Sequence, residues 1–166
     1  MTAIGITDVG EVIYKGEALH AAAIVTAGST VTKGNLLKIS SGADTVEPAT
    51  AAAKICGIAL YDAAAGEEVT YAIPSSDFMV RAVLAESQTI AKGDSLCAAT
   101  SSISGVTYLG QVGKQADATF GGTYSASDDA GLLTQIKGFV GFAAETISTS
   151  ADQNKVIKVI LKGASL

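Results

Sequence analysis

Two stretches alternate apolar and polar residues with a period of two, Glu68-Val69-Thr70-Tyr71-Ala72-Ile73 and Val156-Ile157-Lys158-Val159-Ile160. That alternation sends successive side chains to opposite faces, as a half-buried strand requires. No window keeps an apolar 3.6-residue period over three helical turns, so the pattern predicts an all-β fold. Residues 19–24 form an apolar run that contains His20 and three alanines, and further strands are expected in 36–39, in 78–84 and in 139–143. Turns are marked by Ala27-Gly28-Ser29, Lys33-Gly34-Asn35, the polar stretch 40–44 and residues 62–66. The alanines of 49–65 favour helix on single-residue propensity. Gly57 inside that stretch and the turn that follows it favour strand instead, and strand is the expectation there. Pro74 ends the strand before it, because proline cannot donate to a ladder.

The turn recurs. Thr89-Ile90-Ala91-Lys92-Gly93-Asp94-Ser95-Leu96 follows Thr30-Val31-Thr32-Lys33-Gly34-Asn35-Leu36-Leu37 at an offset of 59, with Thr, Lys, Gly and the final Leu identical. Phe139-Val140-Gly141-Phe142-Ala143 follows Ile55-Cys56-Gly57-Ile58-Ala59 at an offset of 84. Each glycine-bearing segment is followed by an alternating strand, which reads as a hairpin. Two accounts fit so few matched positions: an internal duplication, with a first unit at about 27–84 and a second at about 87–163, or common β-turn grammar. The second unit is longer mainly through 99–134, where Ser, Gly, Thr and Asp crowd together and an inserted polar loop is expected. Tyr108, Phe120 and Tyr124 punctuate it, either as contact residues for a partner or as anchors that tack the loop onto the domain.

Residues 1–18 read as an extended arm preceding a single β-rich domain, 19–166. Its strand-capable piece, Glu11-Val12-Ile13-Tyr14, lies between Gly10 and Gly16 and is too short to form a hairpin alone. Val12, Ile13 and Tyr14 either add as a strand to an exposed sheet edge on another protein or form the first strand of this domain's own sheet.

Composition narrows the function classes. The 166 residues are 48% hydrophobic and 16% charged, which excludes disorder driven by charge and low hydrophobicity. A chain of this length buries roughly 70% of the surface it would expose unfolded, so one domain needs no staples. No apolar run approaches the length of a membrane span, and the N-terminus lacks a basic start followed by an apolar run, so neither a membrane span nor a secretory signal is expected. The formal charge is −5 and Arg81 is the only arginine, which argues against a nucleic-acid partner. His20 is the only histidine and reads as a structural residue, buried or half-exposed in its apolar run. With Cys56 and Cys97 some forty positions apart, it builds neither a zinc site nor a nucleophile–base pair. The two cysteines read as free, small apolar residues, with a disulfide between them the alternative. Gly113-Lys114 lacks the glycine spacing and the Ser or Thr of a phosphate loop. Glu67-Glu68 and Asp128-Asp129 lack the alternating acids of a calcium loop. No catalysis, metal or cofactor is expected.

The Lys-Gly-Asn and Lys-Gly-Asp turns look like the opening turn of biotinyl and lipoyl carrier domains, but no lysine sits at a hairpin tip between methionines. A stronger likeness lies in Ala27-Gly28-Ser29-Thr30-Val31-Thr32-Lys33-Gly34, Thr45-Val46-Glu47-Pro48-Ala49, and Gly57-Ile58-Ala59-Leu60-Tyr61-Asp62-Ala63-Ala64-Ala65-Gly66-Glu67-Glu68-Val69-Thr70. These segments resemble the capsid decoration, or cement, proteins of tailed bacteriophages over about residues 27–73. The resemblance implies a small β-barrel or β-tulip-like domain on the outer surface of the virion, made in the host cytoplasm. It implies a non-enzymatic clamp that binds the assembled major capsid protein, often as a homotrimer. A phage tail or fibre component, and a carrier or ligand-binding small barrel, are the competing readings.

Overall fold

The computed structural model describes residues 19–41, 44–51, 53–73, 79–116, 138–148 and 156–162. Among them ten strands form: β1 (His20–Val25), β2 (Leu36–Ile39), β3 (Thr45–Pro48), β4 (Gly57–Ala59), β5 (Glu68–Ala72), β6 (Met79–Val83), β7 (Ser95–Ile103), β8 (Val106–Lys114), β9 (Phe139–Ala143) and β10 (Val156–Leu161). The all-β expectation holds. The first five strands close into a barrel in the order β1-β3-β2-β4-β5, and the last five form a sheet in the order β6-β10-β9-β7-β8.

The two sheets are the same object twice. Adding 59 to β1 and β2, 66 to β3, 84 to β4 and 88 to β5 converts the cross-strand partners of the first sheet into those of the second. Leu37↔Pro48 becomes Leu96↔Lys114, Leu37↔Gly57 becomes Leu96↔Gly141, Ala59↔Tyr71 becomes Ala143↔Val159, and His20↔Ala72 becomes Met79↔Ile160. Even the closing contact is kept: the parallel pair Val25↔Val46 corresponds to the parallel bridge Leu84↔Val112. Register is pinned by which face is buried, so agreement at every antiparallel pair of the first barrel is far beyond what shared turn grammar supplies. The duplication is therefore a property of the fold.

The cores repeat as well. Val25, Val31, Leu37, Val46, Ala59, Ala63 and Val69 fill the first barrel. Their counterparts are Leu84, Ile90, Leu96, Val112, Ala143, Ile147 and Ile157, larger at four of the seven positions. The second sheet carries the bulkier set, and its edge strands meet at one isolated parallel bridge where β1 and β3 make two pairs and close the barrel.

A second layer joins the units. Leu36, Ile58 and Ala72 form a cross-strand row and point away from the first barrel's interior, since they alternate with Leu37, Ala59 and Tyr71. Together with Ala49 they are fully buried and belong to the same apolar cluster as the second sheet's core.

Three expectations change. Of 49–65, only Gly57–Ala59 is a strand: the Ala53 N–H bonds back to the Thr50 carbonyl, so the alanines turn before β4 begins. Of the expected loop 99–134, residues 99–103 and 106–114 are strand, and 117–134 lie outside the described residues. His20 is exposed, because the inward phase of β1 falls on Ala21, Ala23 and Val25.

Candidate interaction surface

Each repeated turn is built the same way. Gly34 and Gly93 adopt φ of 85° and 93°, a conformation that glycine takes without strain. The next residue caps the turn: Asn35 Oδ1 accepts the Thr32 N–H at 2.8 Å, and Asp94 Oδ2 accepts the Ala91 N–H at 2.8 Å. The lysine N–H reaches across to the β4–β5 or β9–β10 connection, from Lys33 to Asp62 at 2.6 Å and from Lys92 to Thr146 at 3.0 Å.

The turns differ in what the capping residue does next. Asp94 pairs with the Lys114 ammonium at 2.9 Å. That hydrogen bond first, and the Ala91 N–H second, hold its carboxyl below the ordinary aspartate range. Asn35 is uncharged, and its Nδ2 donates to the Leu109 carbonyl at 3.3 Å, in the other unit.

Leu109 belongs to the part of the chain where the second unit outgrows the first. Strands β7 and β8 run nine residues each, against four in β2 and β3. Ser104 and Gly105 join them with φ of 52° and 80°, the paired positive values of a two-residue type I′ turn. Between Ala99↔Gln111 and Ser101↔Tyr108, β8 has one residue more than β7, a β-bulge. Gly110 sits in it at φ 70°, and a Cβ there would come within 2.9 Å of the Leu36 carbonyl and of Asn35 Cβ. Its N–H donates to the Ala49 carbonyl at 2.8 Å. The bulge thus bends the hairpin onto the first barrel, and glycine is what lets the backbones approach.

A cleft of about 310 Å³ lies under the bent hairpin, lined by Ser29, Thr30, Thr32 and Asn35 on one side and Thr107 and Tyr108 on the other. Beyond it the hairpin exposes Val106, Tyr108 and Leu109, at 53%, 37% and 36%. Residues 98–113 carry no charged side chain. An uncharged protruding hairpin with exposed apolar residues is what a protein contact uses, since desolvating it leaves no charge unpaired.

Elsewhere the chemistry is quiet. Cys56 and Cys97 are free. Burial pushes the Cys56 thiol up to about 11 while its Sγ donates to the Leu37 carbonyl at 3.3 Å, and burial also raises Cys97. Among the described residues no three His, Cys, Asp or Glu side chains cluster as metal ligands, and no helix is long and apolar enough to cross a membrane.

Of the expected contact residues, Tyr108 lies on the hairpin, at the mouth of the cleft. Val12, Ile13, Tyr14, Phe120 and Tyr124 fall outside the described residues. Asn35 was read as part of a turn, but Val106 and Leu109 were not singled out from the sequence. Their signal was the uncharged run around Ser104-Gly105, masked by its many serines and threonines.

The class of protein thus defined is a tandem of two five-stranded units of the same pairing, a closed barrel and a second sheet, with one hairpin built out at their junction. No protein-family model matches the chain, and no curated protein matches it in sequence. Among solved structures it is similar to the head fiber gp8.5 N base of bacteriophage phi29, with a TM-score of 0.55 and 15% identity over 87% of this chain and 93% of that one. At that identity the likeness is one of fold.

Proposed function

We propose that this protein is a structural component of a bacteriophage head, a decoration protein that binds the outer surface of the assembled major capsid lattice and stabilises it. The observation that carries the reading is the tandem itself, whose fold is shared with a phage head fiber base and whose residues 27–73 resemble capsid decoration proteins. The protein acts by binding, with no catalysis, cofactor, nucleic acid or membrane involved, and it associates with itself, as a trimer. The uncharged hairpin is the described element best suited to the capsid contact, through Val106 at its tip and the neighbouring Tyr108. The arm Val12-Ile13-Tyr14, with Phe120 and Tyr124, supplements it.

The test mixes the full chain with expanded capsids and follows co-sedimentation and negative-stain images. Saturable binding at regular lattice positions is expected, weakened at least about tenfold by Val106→Asp, since charge at a desolvated contact costs more than about 1.4 kcal/mol. Deleting residues 2–15 should lower capsid binding while the melting temperature stays nearly unchanged. Absence of binding to mature and expanded capsids alike would refute the reading and favour a tail or fibre component.

A further inference from the structure

The duplication makes an internal comparison available: a surface buried in one unit can be examined at its counterpart in the other. The row Leu36, Ile58 and Ala72 on the outer face of β2, β4 and β5 is fully buried where the first unit meets the second. Register carries this row onto Ser95, Phe142 and Ile160, with Met79 as the next cross-strand partner. There the face is open. Phe142 is 37% exposed where Ile58 is 0% exposed, and Ser95, Ile160 and Met79 are half-buried. Phe139 packs edge-on against the Phe142 ring, with centroids 5.4 Å apart, so the aromatic is held in place rather than free to fold away.

A lone exposed apolar side chain needs no explanation. This one is different in being the centre of a cross-strand row that also holds Ile160 and Met79, at the register position that already serves as a protein–protein-like interface within the same chain. None of the four row residues is charged. Orientation is set by the sheet, so the row is presented on rigid strands, which lowers the ordering cost of docking.

We propose that the Met79–Ile160–Phe142–Ser95 row is the surface on which a second copy of this chain docks. The occupant follows from the internal repeat: within the chain the first unit's row is covered by the second unit, whose β8 brings Gly110 against the Leu36 carbonyl, and the second unit of one chain offers the corresponding row to the next chain. A head-to-tail contact of this kind closes into a ring when its rotation permits, which is how two units per chain build a trimer. The inference rests on the self-association reading above and names the surface responsible.

The experiment is light scattering on size-exclusion fractions and sedimentation velocity of the full chain over a concentration series. Wild type is expected to be oligomeric. Phe142→Glu should raise the dissociation constant about 30-fold or more, because a charge at the centre of a docked face is a hot-spot loss. Ser95→Arg is the second variant: it leaves the backbone bond from the Gln115 N–H to the Ser95 carbonyl in place and puts a long cation in the row. Tyr61→Glu, at a residue 65% exposed away from the row, should leave the oligomer unchanged. A monomeric wild type at tens of micromolar overturns the proposal, as does an oligomer that survives both row variants. Loss of capsid binding on Phe142→Glu with a monomeric wild type also overturns it, assigning the row to the capsid while leaving the head-protein reading intact. Loss of the oligomer with capsid binding absent throughout upholds the row and refutes that reading instead.

Discussion

Gly141→Ala is expected to be among the most damaging single-methyl additions in the protein. In β9 this glycine pairs with Leu161 on one side and Leu96 on the other. A Cβ there would overlap the Ile160 carbonyl oxygen and stand 3.0 Å from the Ile160 carbonyl carbon and 3.1 Å from Leu161 Cα. All three obstacles are backbone, so no rotamer change relieves them. The β9–β10 ladder has to spread, at an overpacking cost of about 1–3 kcal/mol and with one or two ladder hydrogen bonds weakened at about 1 kcal/mol each. The sum is about 2–5 kcal/mol, or a fall in melting temperature on the order of 10 °C for a chain of this size. Gly66→Ala is the internal standard: Gly66 has φ 81° with nothing within 4 Å of the added carbon, so only the backbone conformation is penalised, at about 1–2 kcal/mol. Gly57→Ala meets the Tyr71 ring and the Ala72 carbonyl oxygen at 2.6 Å and should fall between the two, because the ring can shift. Urea denaturation followed by circular dichroism measures all three. The reasoning fails if Gly141→Ala destabilises no more than Gly66→Ala.

Three further outcomes are expected. Asn35→Ala removes the acceptor for the Thr32 N–H and the donor to Leu109, and should lower stability by about 1–2 kcal/mol in the same assay, with faster amide exchange at Thr32; a loss under about 0.5 kcal/mol contradicts the role assigned to that bridge. Asp94 has its folded-state pKa depressed by Lys114 and the Ala91 N–H, so its contribution is present above the unfolded value and disappears as pH falls through the folded one. The stability difference between wild type and Asp94→Asn should therefore shrink on acidification, and a difference that grows toward low pH would reverse the sign and sink the assignment. Because the thiolate is the reactive form and Cys56 is pushed up to about 11, with Cys97 also raised, native thiols should react with a disulfide reagent at mildly alkaline pH far more slowly than in urea; equal rates would show that neither is protected.

Strand identity came from local pattern, and so did the seed of the repeat. Period-two alternation at 68–73 and 156–160, the Lys-Gly-Asn and Lys-Gly-Asp turns and the glycine-bearing segments around Gly57 and Gly141 are local features, governed by backbone sterics and side-chain phase. Those are legible without knowing what touches what. Whether the repeat was ancestry or grammar was not legible, because that depends on pairing partners up to tens of residues away. Register showed that the repeat extends beyond the turns: the parallel pair Val25↔Val46 corresponds to Leu84↔Val112, in strands that share only Ala23 with Ala82 and Val46 with Val112. Which apolar positions stay exposed was also a tertiary outcome. Nothing local distinguishes Ile58, which the neighbouring unit covers, from Phe142, which stands open at the same register position. The bend at Gly110 depends on the Leu36 carbonyl and Asn35, some 75 residues earlier in the chain. A linear pattern specifies which face of a strand is apolar; only packing decides whether that face is buried within the chain or left for a partner.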